Sequence, residues 1–166
     1  MDFTIRPVRP EEYEELGEVT ARAYLDDGHL DLGEDDDYLH VLRDVAHRAA
    51  EAEVLVAVDD EDGTVLGGVA FTAGGREYAD IAVEGEAEFR MLAVAHAARG
   101  RGVGEALVRA CVDRARALGS TRLVLSTQPG MVRAHRIYER LGFVRTPERD
   151  WSPVPGLLLL TYALEL

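Results

Sequence analysis

The chain has no lysine, a single cysteine and no long apolar run, and each shortage closes off a class of explanation. A lone thiol, Cys111, cannot build an intrachain disulfide framework, so the fold has to rest on its own core. With 166 residues, 47% of them hydrophobic, one globular domain spanning 1–166 is expected to bury that core unaided. Cys111 itself falls in the apolar row Val103, Leu107, Val108, Cys111, Val112 and Ala115, a spacing that makes it packing rather than chemistry. The longest aliphatic stretch, Leu157 to Leu160, is far too short to span a bilayer, and the opening MDFTIRPVRP lacks the apolar segment of a secretory signal. A cytoplasmic protein with no membrane partner is the expectation.

What the chain has in excess is acid. All 18 basic residues are arginine, set against 31 Asp and Glu, and the formal net charge of −13 argues against nucleic acid as a partner. The signs are unevenly spread: residues 1–90 carry 25 acids and 7 arginines, residues 91–166 carry 6 acids and 11 arginines. That asymmetry suggests two ligands of opposite charge. His, Cys and carboxylates nowhere cluster with metal-ligand spacing, and no metal is expected.

Hydrophobic periodicity predicts the elements. Residues 3–9 alternate as a half-buried strand, and Pro10 opens a helix with Tyr13, Leu16, Val19, Thr20 and Ala23 on one face. An acidic loop, 26–37, precedes a second helix through Tyr38, Leu39, Leu42, Val45 and Ala46, with Glu34 to Asp37 placed favourably at its N-terminus. Two β-branched runs in 52–73 flank an Asp-Gly turn and read as a hairpin. A strand over 86–95, a glycine-rich turn, a helix over 103–118 and a strand over 121–127 follow. Thr127 is read as the cap of the next helix, with Pro129 in its first turn, and two strands close the chain around a Pro-rich loop. The order is β-α-α-β-β-β-α-β-α-β-β.

The segment Arg99-Gly100-Arg101-Gly102-Val103-Gly104 asks for an explanation, because helix interiors disfavour glycine by about 1 kcal/mol each relative to alanine and three stand here at alternate positions at a helix entrance. They free several backbone N–H groups at the positive end of a helix dipole, and Arg99 and Arg101 add charge; this is an anion site. A P-loop would need Gly-Lys-Ser/Thr, and the dinucleotide fingerprint G-x-G-x-x-G, whereas the spacing here is G-x-G-x-G.

The stretch RMLAVAHAARGRGVGEALV resembles the acyl-CoA-binding motif of the GNAT superfamily of N-acetyltransferases, Arg/Gln-x-x-Gly-x-Gly/Ala after Leu-x-Val, through Arg99, Gly102 and Gly104. RAHRIYERLGF resembles the superfamily's second signature through Ala134, Tyr138, Gly142 and Phe143, although Met131 stands where many members have Asn. The resemblance implies an α/β (α+β) GNAT fold: a central mixed, largely antiparallel twisted sheet of about seven strands flanked by four helices. It implies acetyl-CoA as acyl donor, held by Leu92, Ala93 and Val94 along the pantetheine arm and by Arg99, Gly100, Arg101, Gly102, Val103, Gly104 and Glu105 around the pyrophosphate. The reaction it implies is acetyl transfer to a primary amine by direct attack in a ternary complex, with homodimers common in the family. A non-catalytic acyl-CoA sensor is the rival.

An amine that arrives protonated needs a base, and Glu88, four residues before Leu92 in the strand leading to the turn, is the candidate. Alternation would set residues 88, 90, 92 and 94 on one face. The resemblance makes Tyr138 the general acid for the departing thiolate. His96 and His135 are read as surface histidines. The acidic first half suggests a cationic acceptor, with Tyr24, Asp26, Asp27, Tyr38, Glu148, Asp150 and Trp151 as its candidate contacts.

Overall fold

Apolar–polar alternation makes the first strand, β1 (Phe3–Pro7), and Pro10 begins a 3-10 turn (Pro10–Glu12) that leads into α1 (Tyr13–Asp26). The structure, a computed structural model, describes residues 2–30 and 32–166; Met1 and Asp31, the latter in the acidic loop, lie outside it. Helix α1 buries Leu16, Gly17, Thr20 and Ala21. Gly17 is there for close approach, since a Cβ on it would lie 2.6 Å from the carbonyl oxygen of Arg43.

The expected second helix is two helices, α2 (Tyr38–Arg43) and α3 (Val45–Glu51). Asp44 leaves helical geometry at φ −85°, ψ 69°, and its carboxylate accepts the N–H of His47 at 3.2 Å, capping α3 instead of continuing α2. Buried Arg48 donates to the carbonyls of Val41 and Leu42, satisfying the end of α2. At the other end Asp36 accepts the N–H of Tyr38 at 2.9 Å, so the acidic run does serve the entrance of α2.

β2 (Glu53–Asp59) and β3 (Val65–Ala73) form the expected antiparallel hairpin, with Gly63 at φ 74° in its turn. Then come β4 (Glu86–Val94), α4 (Val103–Ala117), β5 (Arg122–Thr127), α5 (Val132–Arg140), β6 (Val144–Arg145), β7 (Trp151–Val154) and β8 (Leu157–Glu165). The described residues thus hold eight strands and five α-helices rather than seven and four. Helix α5 does not start at Thr127, which ends β5; Gln128 to Met131 make a tight turn, Met131 N–H to Gln128 O at 3.1 Å, with Pro129 at its second position. β7 lies inside what reads as a Pro-rich loop, and the register shift between Trp151 and Val154 accommodates Pro153, which has no N–H to donate.

The chain forms two compact units, Met1–Phe71 with Met91–Ala110, and Thr72–Arg90 with Cys111–Leu166. In the first, β1, β2 and β3 pair antiparallel in sequence order, and Ala21, Leu30, Leu39, Leu42 and Met91 form a buried cluster. In the second, Glu86–Glu88 of β4 pair in parallel with Arg122–Val124, β8 runs antiparallel to β5, and β6 and β7 both pair with β8. The strand order is β1-β2-β3-β4-β5-β8-β6, a single open sheet, mixed and largely antiparallel. Among the described residues no helix is long and apolar enough to cross a membrane.

Candidate active site

The glycine turn has the geometry that its sequence calls for. A 3-10 turn (His96–Ala98) ends at Arg99, whose backbone is extended, and Gly100 and Gly102 then take φ of 85° and 81°, values that only glycine adopts freely. The first intrahelical bond of α4 runs from the N–H of Ala106 to Gly102 O at 3.0 Å, so the amides of Val103, Gly104 and Glu105 precede the helical ladder. A Cβ built on Gly100 or Gly102 would meet nothing within 4 Å. Open space beside amides at the head of a 15-residue helix fits a phosphate group. All six residues of the apolar row in α4, Cys111 included, are buried.

Both arginines of the turn are held by acids of the first half. Arg99 makes a bidentate pair with Asp27, Nη1 to Oδ1 at 3.1 Å, and Arg101 reaches Asp2 at 2.9 Å and Asp59 at 3.3 Å. The contact with Asp2 holds that exposed carboxyl below its usual range. A residue expected at the acceptor, Asp27, is therefore joined to one expected at the cofactor. The rings of Tyr24 and Tyr38 meet edge-on with centroids 6.3 Å apart, and both pack against the cluster that contains Met91, while Asp26 is exposed.

Met91 is a positive-φ residue other than glycine, at 57°, within β4. A left-handed residue costs about 1–2 kcal/mol and interrupts the extended backbone, so the alternation expected to carry one face from 88 to 94 is broken there. Leu92 and Val94 are half-buried, Ala93 buried.

Glu88 is fully buried, not merely strand-borne. Its Oε1 accepts the N–H groups of Asp80, Ile81 and Ala82 at 3.0, 2.9 and 3.0 Å, while Oε2 is buried without a hydrogen-bond partner. Burial raises its pKa, with Asp80 adding to the rise, and the amides and Arg90 oppose it. Two residues before, Glu86 is 4% exposed and paired with Arg122 and Arg149, each at 2.8 Å. Burial alone would raise Glu86, but Arg149 and Arg122 outweigh it and hold the carboxyl at about 2. Equal-looking acids two positions apart are thus in opposite electrostatic states.

Tyr138 is 4% exposed and packs on Phe89, Phe143 and Tyr162, with centroids 5.7, 5.9 and 5.6 Å away. Phe89 follows Glu88 directly, so the strand turns the candidate acid's aromatic nest and the candidate base to opposite faces. His96 is exposed, but His135 is not a plain surface histidine. Its Nε2 lies 3.2 Å from Thr127 Oγ1 and 3.1 Å from Gln128 O; the carbonyl can only accept, which assigns the proton to Nε2, and burial lowers the ring's pKa. Asp150 is held low chiefly by a bidentate pair with Arg145, at 2.9 and 2.8 Å, and also takes the Thr161 N–H. Trp151 donates from Nε1 to Ser126 Oγ at 2.9 Å, and Glu148 is exposed.

Strand, glycine turn and helix follow one another within an α/β fold. Residues 13–143 match the acetyltransferase (GNAT) family, and the chain belongs to that family. A GNAT-family acetyltransferase from Staphylococcus aureus Mu50 aligns at TM-score 0.76 over 99% of both chains, with 16% identity. The yncA protein of Salmonella typhimurium, solved with its cofactor acetyl-CoA, aligns at TM-score 0.72 over 100% of this chain and 95% of its own, with 22% identity. Among curated proteins, N-acetylaspartate synthetase of Danio rerio is 34% identical over 70 residues, 42% of this chain. The match spans only 25% of that relative's length.

Proposed function

We propose that the chain is an acetyl-CoA-dependent N-acetyltransferase acting on a primary amine. The observation that carries the reading is the open glycine turn before α4, in a chain that belongs to the acetyltransferase family. When bound, acetyl-CoA supplies the acetyl group as a thioester. The amides of Val103, Gly104 and Glu105, with Arg99 to Gly102, are assigned to its pyrophosphate, and the main chain of Leu92, Ala93 and Val94 to its pantetheine arm.

Glu88 is assigned as general base. A carboxyl raised by burial is better matched to an amine near neutral pH than an ordinary one, and three amides on Oε1 fix its orientation while Oε2 keeps its capacity to accept a proton. Tyr138 is assigned as the acid that protonates the thiolate. The acceptor is taken to be cationic; Tyr24 and Tyr38 offer rings and the exposed Asp26 and Glu148 offer charge, with Asp27, Asp150 and Trp151 each engaged with another side chain.

The test is release of free thiol from acetyl-CoA across a panel of amines, amino acids and peptides. Turnover above the uncatalysed background on any of them supports the enzyme. Tight binding of acetyl-CoA with no turnover on the whole panel favours an acyl-CoA-sensing module.

A further inference from the structure

An arginine at the entrance of the glycine turn already holds a carboxylate. Arg99 ends the 3-10 turn before Gly100, and both of its terminal nitrogens are taken by the two oxygens of Asp27, the residue that closes α1. The pair joins positions 72 apart, with side chains 20% and 33% exposed, so neither partner is buried beyond the reach of a competing ion. A guanidinium fork that fits a carboxylate fits a phosphate by the same parallel N–H geometry. Arg99 can serve one of them fully at a time.

We propose that Asp27 is an internal counter-anion that a phosphate of the acyl carrier displaces from Arg99. The proposal rests on the phosphate reading of the glycine turn and adds regulation to it. Displaced, Asp27 stands at the end of the helix that carries Tyr24, next to Gly28 and His29, whose ring packs edge-on to Tyr24 at 6.2 Å. Arg101 is less easily exchanged, since two carboxylates, Asp2 and Asp59, share it.

The experiment is a double-mutant cycle on coenzyme A affinity, measured by calorimetry on the full chain with folding checked by thermal melts. The four proteins are the wild type, Asp27→Asn, Arg99→Gln and the double variant. Asp27→Asn should tighten coenzyme A binding about two- to fivefold, the size expected of a part-exposed ion pair, and should do nothing once Arg99 is Gln. Equal tightening in both backgrounds would mean that Asp27 acts only as general negative charge, and the exchange falls. Unchanged or weakened binding in Asp27→Asn, with Arg99 intact, overturns it as well. A wild type that fails to bind coenzyme A removes the phosphate reading and the proposal with it.

Discussion

Glu88 meets two demands through its two oxygens: one is committed to three backbone amides, the other is buried and keeps its capacity for a proton. Because burial raises its pKa above the ordinary value of 4.5, the folded state favours the neutral form. Its stabilising contribution is complete below the unfolded pKa and is lost as pH rises through the folded one. Glu88→Gln keeps an oxygen for the amides and cannot ionise, so as pH rises above the ordinary carboxyl value of 4.5 the wild type should lose stability relative to it in urea melts. Parallel pH profiles would show that the carboxyl is not perturbed. On a productive amine the same variant should lower kcat on the order of 10²-fold, less at high pH where the amine is already neutral.

At the scale of elements, Glu86 on β4 and Arg149 in the 3-10 turn Pro147–Arg149 hold two distant parts of the chain together. Arg149→Met leaves a buried carboxylate short of one guanidinium and should cost about 3 kcal/mol near neutral pH. A carboxyl held at about 2 contributes its stability above the unfolded value of 4.5 and loses it as pH falls toward 2, so the penalty should shrink over that range. A penalty independent of pH would point to lost packing instead. The glycine turn gives a second element-scale prediction. Gly102→Ala puts a methyl into open space at φ 81°, costing about 1 kcal/mol of stability, while coenzyme A affinity should fall about tenfold as the methyl crowds the phosphate. Native affinity in this variant would count against the turn as the phosphate site. Elements governed by local pattern were readable from the sequence: the apolar row of α4, the Asp-Gly hairpin and the glycine turn. Elements governed by competition were not. Asp44 chose to cap rather than continue a helix, Pro129 took a tight turn ahead of α5, and Pro153 was tolerated in β7 by a register shift.

Across the whole molecule, the charge asymmetry is plain in the sequence but its wiring is not, because ion pairs such as Arg99–Asp27 join residues 72 positions apart. Part of the acid in the first half is spent on arginine: Asp27 on Arg99, and Asp2 and Asp59 on Arg101. Any steering of a cationic acceptor then falls to the acids that remain exposed, such as Asp26 and Glu34. With acetyl-CoA saturating, kcat/KM for a polyamine should fall as salt rises through physiological ionic strength, where the Debye length is about 8 Å, while a neutral amine analogue should change little. Equal slopes would reduce the acidic half to a solubility feature.

The bidentate pairs Arg6–Glu12, Arg99–Asp27 and Arg145–Asp150 are forks that an ammonium group could not make, and with all 18 basic residues arginine the chain offers no side-chain amine of its own. Guanidinium groups, protonated throughout the working pH range, are poor nucleophiles toward a thioester. Radiolabelled acetyl groups supplied as acetyl-CoA should therefore find no lysine on this protein to mark. That gives labelling experiments a low background, and label retained on an added protein or peptide can be traced to that acceptor rather than to self-modified catalyst side chains.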